Sequence, residues 1–297
     1  MASPGAAPSP PARTLTLTLM ALVCFASNSV LSRLALGPEL MDAASFSSVR
    51  VLSAALILAA VVFLRRRRMP GLSYASWRST AALFIYVIFF TFAYLKLAAG
   101  TGALILFGLV QITMFAVAFR EGERFGAVSW VGLLLAIAGL IWLVSPGVTA
   151  PDLAGSLLMA VAGVAWGAYT LLGRGADHPV ELNAANFLCC VPPVLAVNLA
   201  FAGDFHAEAQ GVWLAVASGA IASGLGYAIW YAALRGLTAT RAATVQLAAP
   251  VIAAIGGVML LSEPLTLRLA LSSAAVLGGI AIVLTQRASP RNAAPVD

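Results

Sequence analysis

The stretch AVSWVGLLLAIAGLIWLVS, residues 127–145, carries no charged side chain, and from Val131 to Val144 the Trp142 indole is its only polar side-chain group. At a rise of about 1.5 Å per residue, a helix of this length covers nearly the roughly 30 Å of a bilayer's hydrocarbon core. A soluble surface helix keeps a polar face, and this one has none. The segment therefore reads as a membrane span turned towards lipid. Arg120 and Arg124 precede it, and Ser145-Pro146-Gly147 ends it.

Working outward, the same reading repeats along the chain. Spans are expected at 14–34, 43–64, 79–98, 101–119, 127–145, 154–173, 182–202, 210–233, 239–261 and 266–286, with breakers such as Gly37-Pro38, Met69-Pro70-Gly71 and Gly203-Asp204 between them. Of 297 residues, 61% are hydrophobic and 9% charged, against about a quarter charged in a soluble domain. Mean hydropathy is +0.97. Ten spans leave no room for a separate soluble domain. The Pro/Ala/Ser-rich residues 1–13 and the segment 288–297 read as disordered tails.

The net charge of +6 does not point to nucleic acid, because the basic residues sit between apolar runs. Ten spans place both termini on one side. That side gathers Arg13, Arg65 to Arg68, Arg78, Arg120, Arg124, Arg174, Arg235, Arg241, Arg287 and Arg291. The other side holds Arg33, Lys96 and Arg268, and Arg50 lies within a span. Cytoplasmic loops accumulate Lys and Arg, so both termini are expected inside, in a bacterial-type inner membrane.

Residues 14–150 and 151–287 resemble each other at a shift of about 140. Phe25-Ala26-Ser27-Asn28…Arg33 aligns with Trp166-Gly167-Ala168-Tyr169…Arg174, Leu95-Lys96 with Leu234-Arg235, Glu123 with Glu263 and Gly139 with Gly279. Five spans is an odd number, so the second copy must run through the membrane inverted. The expected fold is an all-α polytopic membrane protein of ten transmembrane helices in two inverted five-helix repeats, a signature of secondary transporters. Arg13 followed by an apolar run also fits a cleaved signal peptide. The repeat counterpart of Phe25–Arg33 argues for retention.

A solute path through such a fold is lined by polar and aromatic side chains at depth. Asn28, Gln111 and Gln246 sit mid-span. Each amide either bonds a neighbouring helix, typically worth about 1 kcal/mol or less, or lines a cavity. Tyr86, Phe90 and Tyr94 are spaced to share one helical face. Trp77, Trp213, Trp230 and Tyr231 near span ends read as interfacial anchors. Tyr86, Trp166, Tyr169 and Tyr227 lie deeper, where a hydroxyl or indole needs a partner. The candidate substrate-binding set is thus Asn28, Tyr86, Tyr94, Gln111, Trp166, Tyr169, Tyr227 and Gln246.

Arg50 is the one deeply placed charge, and it reads first as pairing with carbonyls or snorkelling, with attraction of a carboxylate as the alternative. Cys24, Cys189 and Cys190 fall in apolar runs and read as packing residues. No metal spacing, phosphate loop or catalytic constellation stands out, so no metal, cofactor or enzymatic activity is expected. No Asp or Glu falls at mid-span, so obligatory proton coupling is not expected either. Membrane lipids and a small-molecule substrate are the expected partners, and a homodimer is compatible with the sequence.

The segments Ala93-Tyr94-Leu95-Lys96…Gly122-Glu123-Arg124 and Tyr231-Ala232-Ala233-Leu234-Arg235…Pro250…Ser262-Glu263-Pro264, with the Trp-Gly-x-Tyr element at Trp166, resemble the drug/metabolite transporter superfamily of the EamA type. The resemblance covers the chain apart from its tails. It departs at Phe25-Ala26, where the family often has Trp-Gly, and at Val110-Gln111, where span four lacks a counterpart to Pro250. It implies export of amino acids and other metabolites, with spans five and ten peripheral. The aromatic lining brings the chain nearest to aromatic amino acid exporters of the YddG type. The expected function is export of neutral or aromatic amino acids by alternating access through a central cavity. Efflux of lipophilic cations is the alternative, disfavoured by an interior with an arginine and no carboxylate, and a membrane enzyme is more distant.

Overall fold

In the computed structural model, residues 12–174, 176–237 and 239–287 are described. Of the two expected tails, residues 1–11 and 288–297 lie outside that range, while Ala12 and Arg13 already belong to the first helix.

Ten helices follow in chain order. They are α1 (Ala12–Leu36), α2 (Ala43–Arg66), α3 (Trp77–Ala93), α4 (Ala99–Arg120), α5 (Ala127–Val144), α6 (Leu153–Leu172), α7 (Pro179–Ala200), α8 (Ala209–Leu234), α9 (Ala239–Gln246 with Ala248–Leu261) and α10 (Leu267–Arg287). Among the described residues, nine helices are long and apolar enough to cross a membrane, and α3 is a shorter apolar helix. The protein is an all-helical polytopic membrane protein. Buried backbone in lipid must satisfy its own hydrogen bonds, which these helices do internally.

Three helices depart from regularity for local reasons. α3 stops at Ala93, earlier than the span to residue 98 anticipates. There Tyr94 turns its buried ring under α4, donating from its hydroxyl to the Ala99 carbonyl at 3.3 Å and packing against Gly102, where a Cβ would lie 2.6 Å from the ring. Arg33 takes up the carbonyls freed at that helix end, donating to Tyr94 and Leu95 at 3.1 and 3.3 Å. α9 breaks at Leu247 because Pro250 has no N–H to offer the Gln246 carbonyl. In α8 the turn Ala217–Leu225 is π-helical. Gly219 presses so closely on α2 that an added Cβ would strike Ser53 Oγ and the Arg50 carbonyl.

α2 packs on α7, α3 on α6, α4 on both α6 and α9, and α1 on both α8 and α9. α5 and α10 form a separate pair whose backbones touch: a Cβ on Gly132 would lie 2.6 Å from the Gly279 carbonyl, and one on Gly139 2.9 Å from Ala275 Cβ. Small residues allow this approach where no hydrophobic effect drives helices together. The outer face of α5 stays exposed, with Leu134 and Ile141 each at 62%.

Candidate solute-binding site

Trp166, on α6, is the centre of an aromatic cluster drawn from both halves of the chain. Its ring lies 4.7 Å from Tyr86 of α3, 5.4 Å from Tyr169 one turn along α6, and 5.2 Å from Tyr227 of α8. The last two contacts are stacked, at 29° and 24°. Phe25 of α1 and Phe187 of α7 close on Tyr227 at 5.8 and 6.1 Å. Tyr86, Tyr169 and Tyr227 are buried, and Trp166 partly so. Each such ring pair is worth about 0.5–1.5 kcal/mol beyond its area. The rings pack against one another between α3, α6 and α8.

A polar layer lies beside the rings. Asn28 Oδ1 accepts from Ser218 Oγ at 2.9 Å and Ser223 Oγ at 3.2 Å, tying α1 to the π-helical turn of α8. Arg50 donates from Nη2 to the Tyr86 hydroxyl at 2.9 Å and reaches Ser223 Oγ at 3.4 Å. Its guanidinium stands 4.7 Å from the Phe90 ring centroid and 5.4 Å from that of Tyr86. On the other flank the Tyr169 hydroxyl donates to Asn183 Oδ1 at 2.6 Å, and Asn186 Nδ2 donates to that hydroxyl at 3.4 Å.

Of the eight residues expected to line a path, the structure brings Tyr86, Trp166, Tyr169 and Tyr227 into mutual contact or one ring apart, with Asn28 joined through the serines. Tyr94 meets the Phe90 ring at 4.8 Å and follows directly on the last residue of α3. Gln111 is not brought to the cluster. Helical spacing puts it with Gly108 and Phe115 on the face of α4 towards α5 and α10, whereas Leu109 and Thr113 face α6. Gln246 is half-buried in the last turn before the break in α9. Five participants carry no signal in the sequence: Ser218 and Ser223, whose small hydroxyls are common in spans, Asn183 and Asn186, which lie near the start of span seven, and Phe187, one phenylalanine among fourteen. Arg50 was noticed, but its neutral partners lie far away in sequence.

The two ends of the bundle differ. At the end bearing most arginines, a cavity of about 440 Å³ opens between α1, α2, α7 and α8, lined by Arg13, Arg66, Glu181, Tyr231 and Arg235 among others. Buried Glu181 pairs there with Arg66 at 3.3 Å and Arg68 at 3.1 Å. The opposite end is bridged by polar contacts. Glu263 accepts from the Ala99 amide at the start of α4 at 2.8 and 3.1 Å and pairs with Arg33 at 3.6 Å. Burial raises the Glu263 carboxyl above its ordinary range, and the Ala99 amide and Arg33 oppose the shift. Nearby, Met41 and Ala207 form an antiparallel bridge, and Asp42 accepts from the His206 amide at 3.2 Å. Among the described residues no cluster of three or more His, Cys, Asp or Glu could hold a metal ion.

Comparison with known proteins follows the same line. Residues 153–285 match the EamA-like transporter family. An uncharacterized protein of Pseudomonas aeruginosa is 49% identical over 278 residues, covering 94% of this chain and 96% of its own. An uncharacterized transporter of Archaeoglobus fulgidus is 27% identical over 260 residues, 82% of this chain and 89% of its own. The threonine/homoserine exporter RhtA of Salmonella typhimurium is 29% identical over 183 residues, 59% of this chain and 61% of its own. A protein solved by crystallography shares the fold at a TM-score of 0.65 and 21% identity, with 94% of this chain and all of that one aligned.

Proposed function

We propose, from the premise that the chain belongs to the EamA-like transporter family, that it exports neutral amino acids, with a preference for hydrophobic or aromatic side chains. The observation that carries the reading is the cluster of Tyr86, Trp166, Tyr169 and Tyr227, which joins residues of both halves at the centre of the bundle. Rings of this kind give a hydrophobic side chain burial and stacking. Asn28 and Arg50 beside them offer polar groups to a zwitterion. The relative named for threonine and homoserine export supports the amino-acid class over a wider metabolite range.

Transport proceeds by alternating access. The cavity at the arginine-rich end gives one form, open to the cytoplasm under the positive-inside rule, and the Arg33–Glu263 contact closes the other end. The helix pairings support an inverted repeat. Exchanging α1 with α6, α3 with α8 and α4 with α9 turns α3–α6 into α8–α1 and α4–α6 into α9–α1, and all four pairs are extensive. Two halves able to exchange roles give two mirror-related states.

The test is counterflow in liposomes that contain the purified protein and are loaded with unlabelled phenylalanine. Accumulation of labelled phenylalanine or tryptophan, competed by other neutral amino acids, is the expected result. The reading fails if no amino acid exchanges, and competition by a quaternary amine instead would favour cation efflux.

A further inference from the structure

Arg50 is buried to 1% exposure at the interface of α2, α3 and α8, and among the described residues it is in no ion pair. Its hydrogen-bond partners are the neutral hydroxyls of Tyr86 and Ser223, and its flat faces lie against Phe90 and Tyr86. Nη1 is buried with no hydrogen-bond partner among the described residues. A guanidinium does not deprotonate in proteins, so this position holds a fixed positive charge inside the membrane-spanning core. Such a charge is costly, and it commonly finds an anion or marks a substrate path.

A purely structural arginine would be expected to spend all its donors on fixed acceptors. Here the two N–H groups of Nη1 have no acceptor among the described residues, and the partners used by the other nitrogens are the hydroxyl of a candidate cluster residue and the serine that also donates to Asn28. The free donor is therefore held next to the aromatic rings by groups that belong to the same cluster. Tyr231, one turn from Tyr227 on α8, lines the 440 Å³ cavity. Arg13, Arg65, Arg66 and Arg235 line that cavity together with Asp177 and Glu181, and Arg66 is paired with Glu181, so the excess of positive charge there is small.

The geometry points to Arg50 as the residue that binds the carboxylate of the transported solute, with Nη1 as the approaching donor. This rests on the reading of the chain as an amino acid exporter and deepens it. The solute's side chain lies among Trp166, Tyr227 and Tyr86, and its carboxylate replaces the missing counter-charge. A hydrogen bond from Nη1 to a carboxylate oxygen is charge-assisted on both sides and so stronger than one to a neutral acceptor. A carboxylate thereby becomes the recognised feature, and the solute's amino group contributes less.

The experiment compares three competitors in phenylalanine counterflow: phenylalanine, 3-phenylpropanoate, which lacks the amine, and phenylalaninamide, which lacks the carboxylate. In the wild type the two carboxylates should compete at least about tenfold better than the amide, the scale expected for hydrogen bonds to a charged group. In Arg50→Gln that preference should fall to within about twofold, and in Arg50→Lys it should persist but shrink. Equal competition by the amide in the wild type overturns the assignment, as does an undiminished preference in Arg50→Gln. If Arg50→Gln does not fold, the wild-type comparison and Arg50→Lys still decide. The melting temperature of detergent-purified wild type separates this assignment from the functional reading. Stabilisation by 3-phenylpropanoate but not by the amide, with no amino acid exchanged, sinks the amino-acid reading and keeps Arg50. No stabilisation by either carboxylate overturns Arg50 as well.

Discussion

Trp166 touches Tyr86, Tyr169 and Tyr227 at once, so its removal tests the candidate site more directly than any other single change. Trp166→Ala should lower flux at least several-fold in the counterflow assay, and Trp166→Phe, which keeps a ring in the packing, should lower it too while leaving yield and melting temperature close to wild type. Trp142 is a control of the same size. It sits 43% exposed on the outward side of α5, and Trp142→Ala should leave flux nearly unchanged. A packed structural tryptophan would instead lose stability, by about 3–5 kcal/mol on the scale of soluble cores. Equal flux in Trp166→Ala and wild type sinks the site. The deep rings were legible in the sequence because a tyrosine or tryptophan far from a span end needs a reason to be there. The placement of Gln111 away from the rings is not legible in the sequence, because α4 is apolar nearly all round and no polar stripe marks which face meets α6 and which meets α10. The role proposed for Arg50 stands in the sequence only as an alternative, since Tyr86 and Ser223 are 36 and 173 residues away and carry no opposite charge to announce the pairing.

At the scale of elements, the spans could be read from hydropathy and breakers, since lipid imposes length and internal hydrogen bonding on each helix. What hydropathy does not encode is the winding inside a span. Residues 217–225 of α8, ASGAIASGL, read as ordinary apolar helix, yet they form a π-helical turn that carries Ser218 and Ser223 to Asn28. π-Turns within helices recur at functional sites. Gly219 in this turn leaves no space for a side chain against Ser53 and the Arg50 backbone. Gly219→Leu should therefore push α8 off α2, lowering the melting temperature by several degrees and cutting flux. Gly203→Leu, where an added Cβ meets nothing within 4 Å, should do neither. Thermal unfolding and counterflow on the two variants side by side decide this. A Gly219→Leu protein that matches wild type in both would show that the close approach is dispensable.

For the whole molecule, the contacts Tyr86–Trp166 and Tyr227–Phe25 are the same pair shifted by 141 residues, at 4.7 and 5.8 Å. Under the inverted repeat proposed above, aligned residues also make aligned contacts. The ends break that likeness, with one open at the arginine-rich cavity and the other shut by Glu263 on Ala99 and Arg33. The groups facing the Glu263 carboxyl are the Arg33 guanidinium, the Tyr94 phenol and the amides of Ala99 and Gly100. Burial lifts its pKa in this shut form, and opening to water returns it towards the ordinary value near about 4.3. The shut form therefore binds a proton more tightly than the open one. By linkage, acid on that side favours the shut form, fully so below the ordinary carboxylate value, and the effect is lost as pH rises through the raised value. Under the orientation proposed, that side is the external one. Acidifying only the external solution from neutrality through this window should slow exchange. Glu263→Gln, which cannot ionise, should exchange at a rate independent of external pH over the same window. A flat wild-type profile, or a Glu263→Gln profile that still bends, would remove Glu263 from the closing contact as its titrating group. Either result would leave the aromatic site untouched, since Glu263 and Trp166 act at different depths of the bundle.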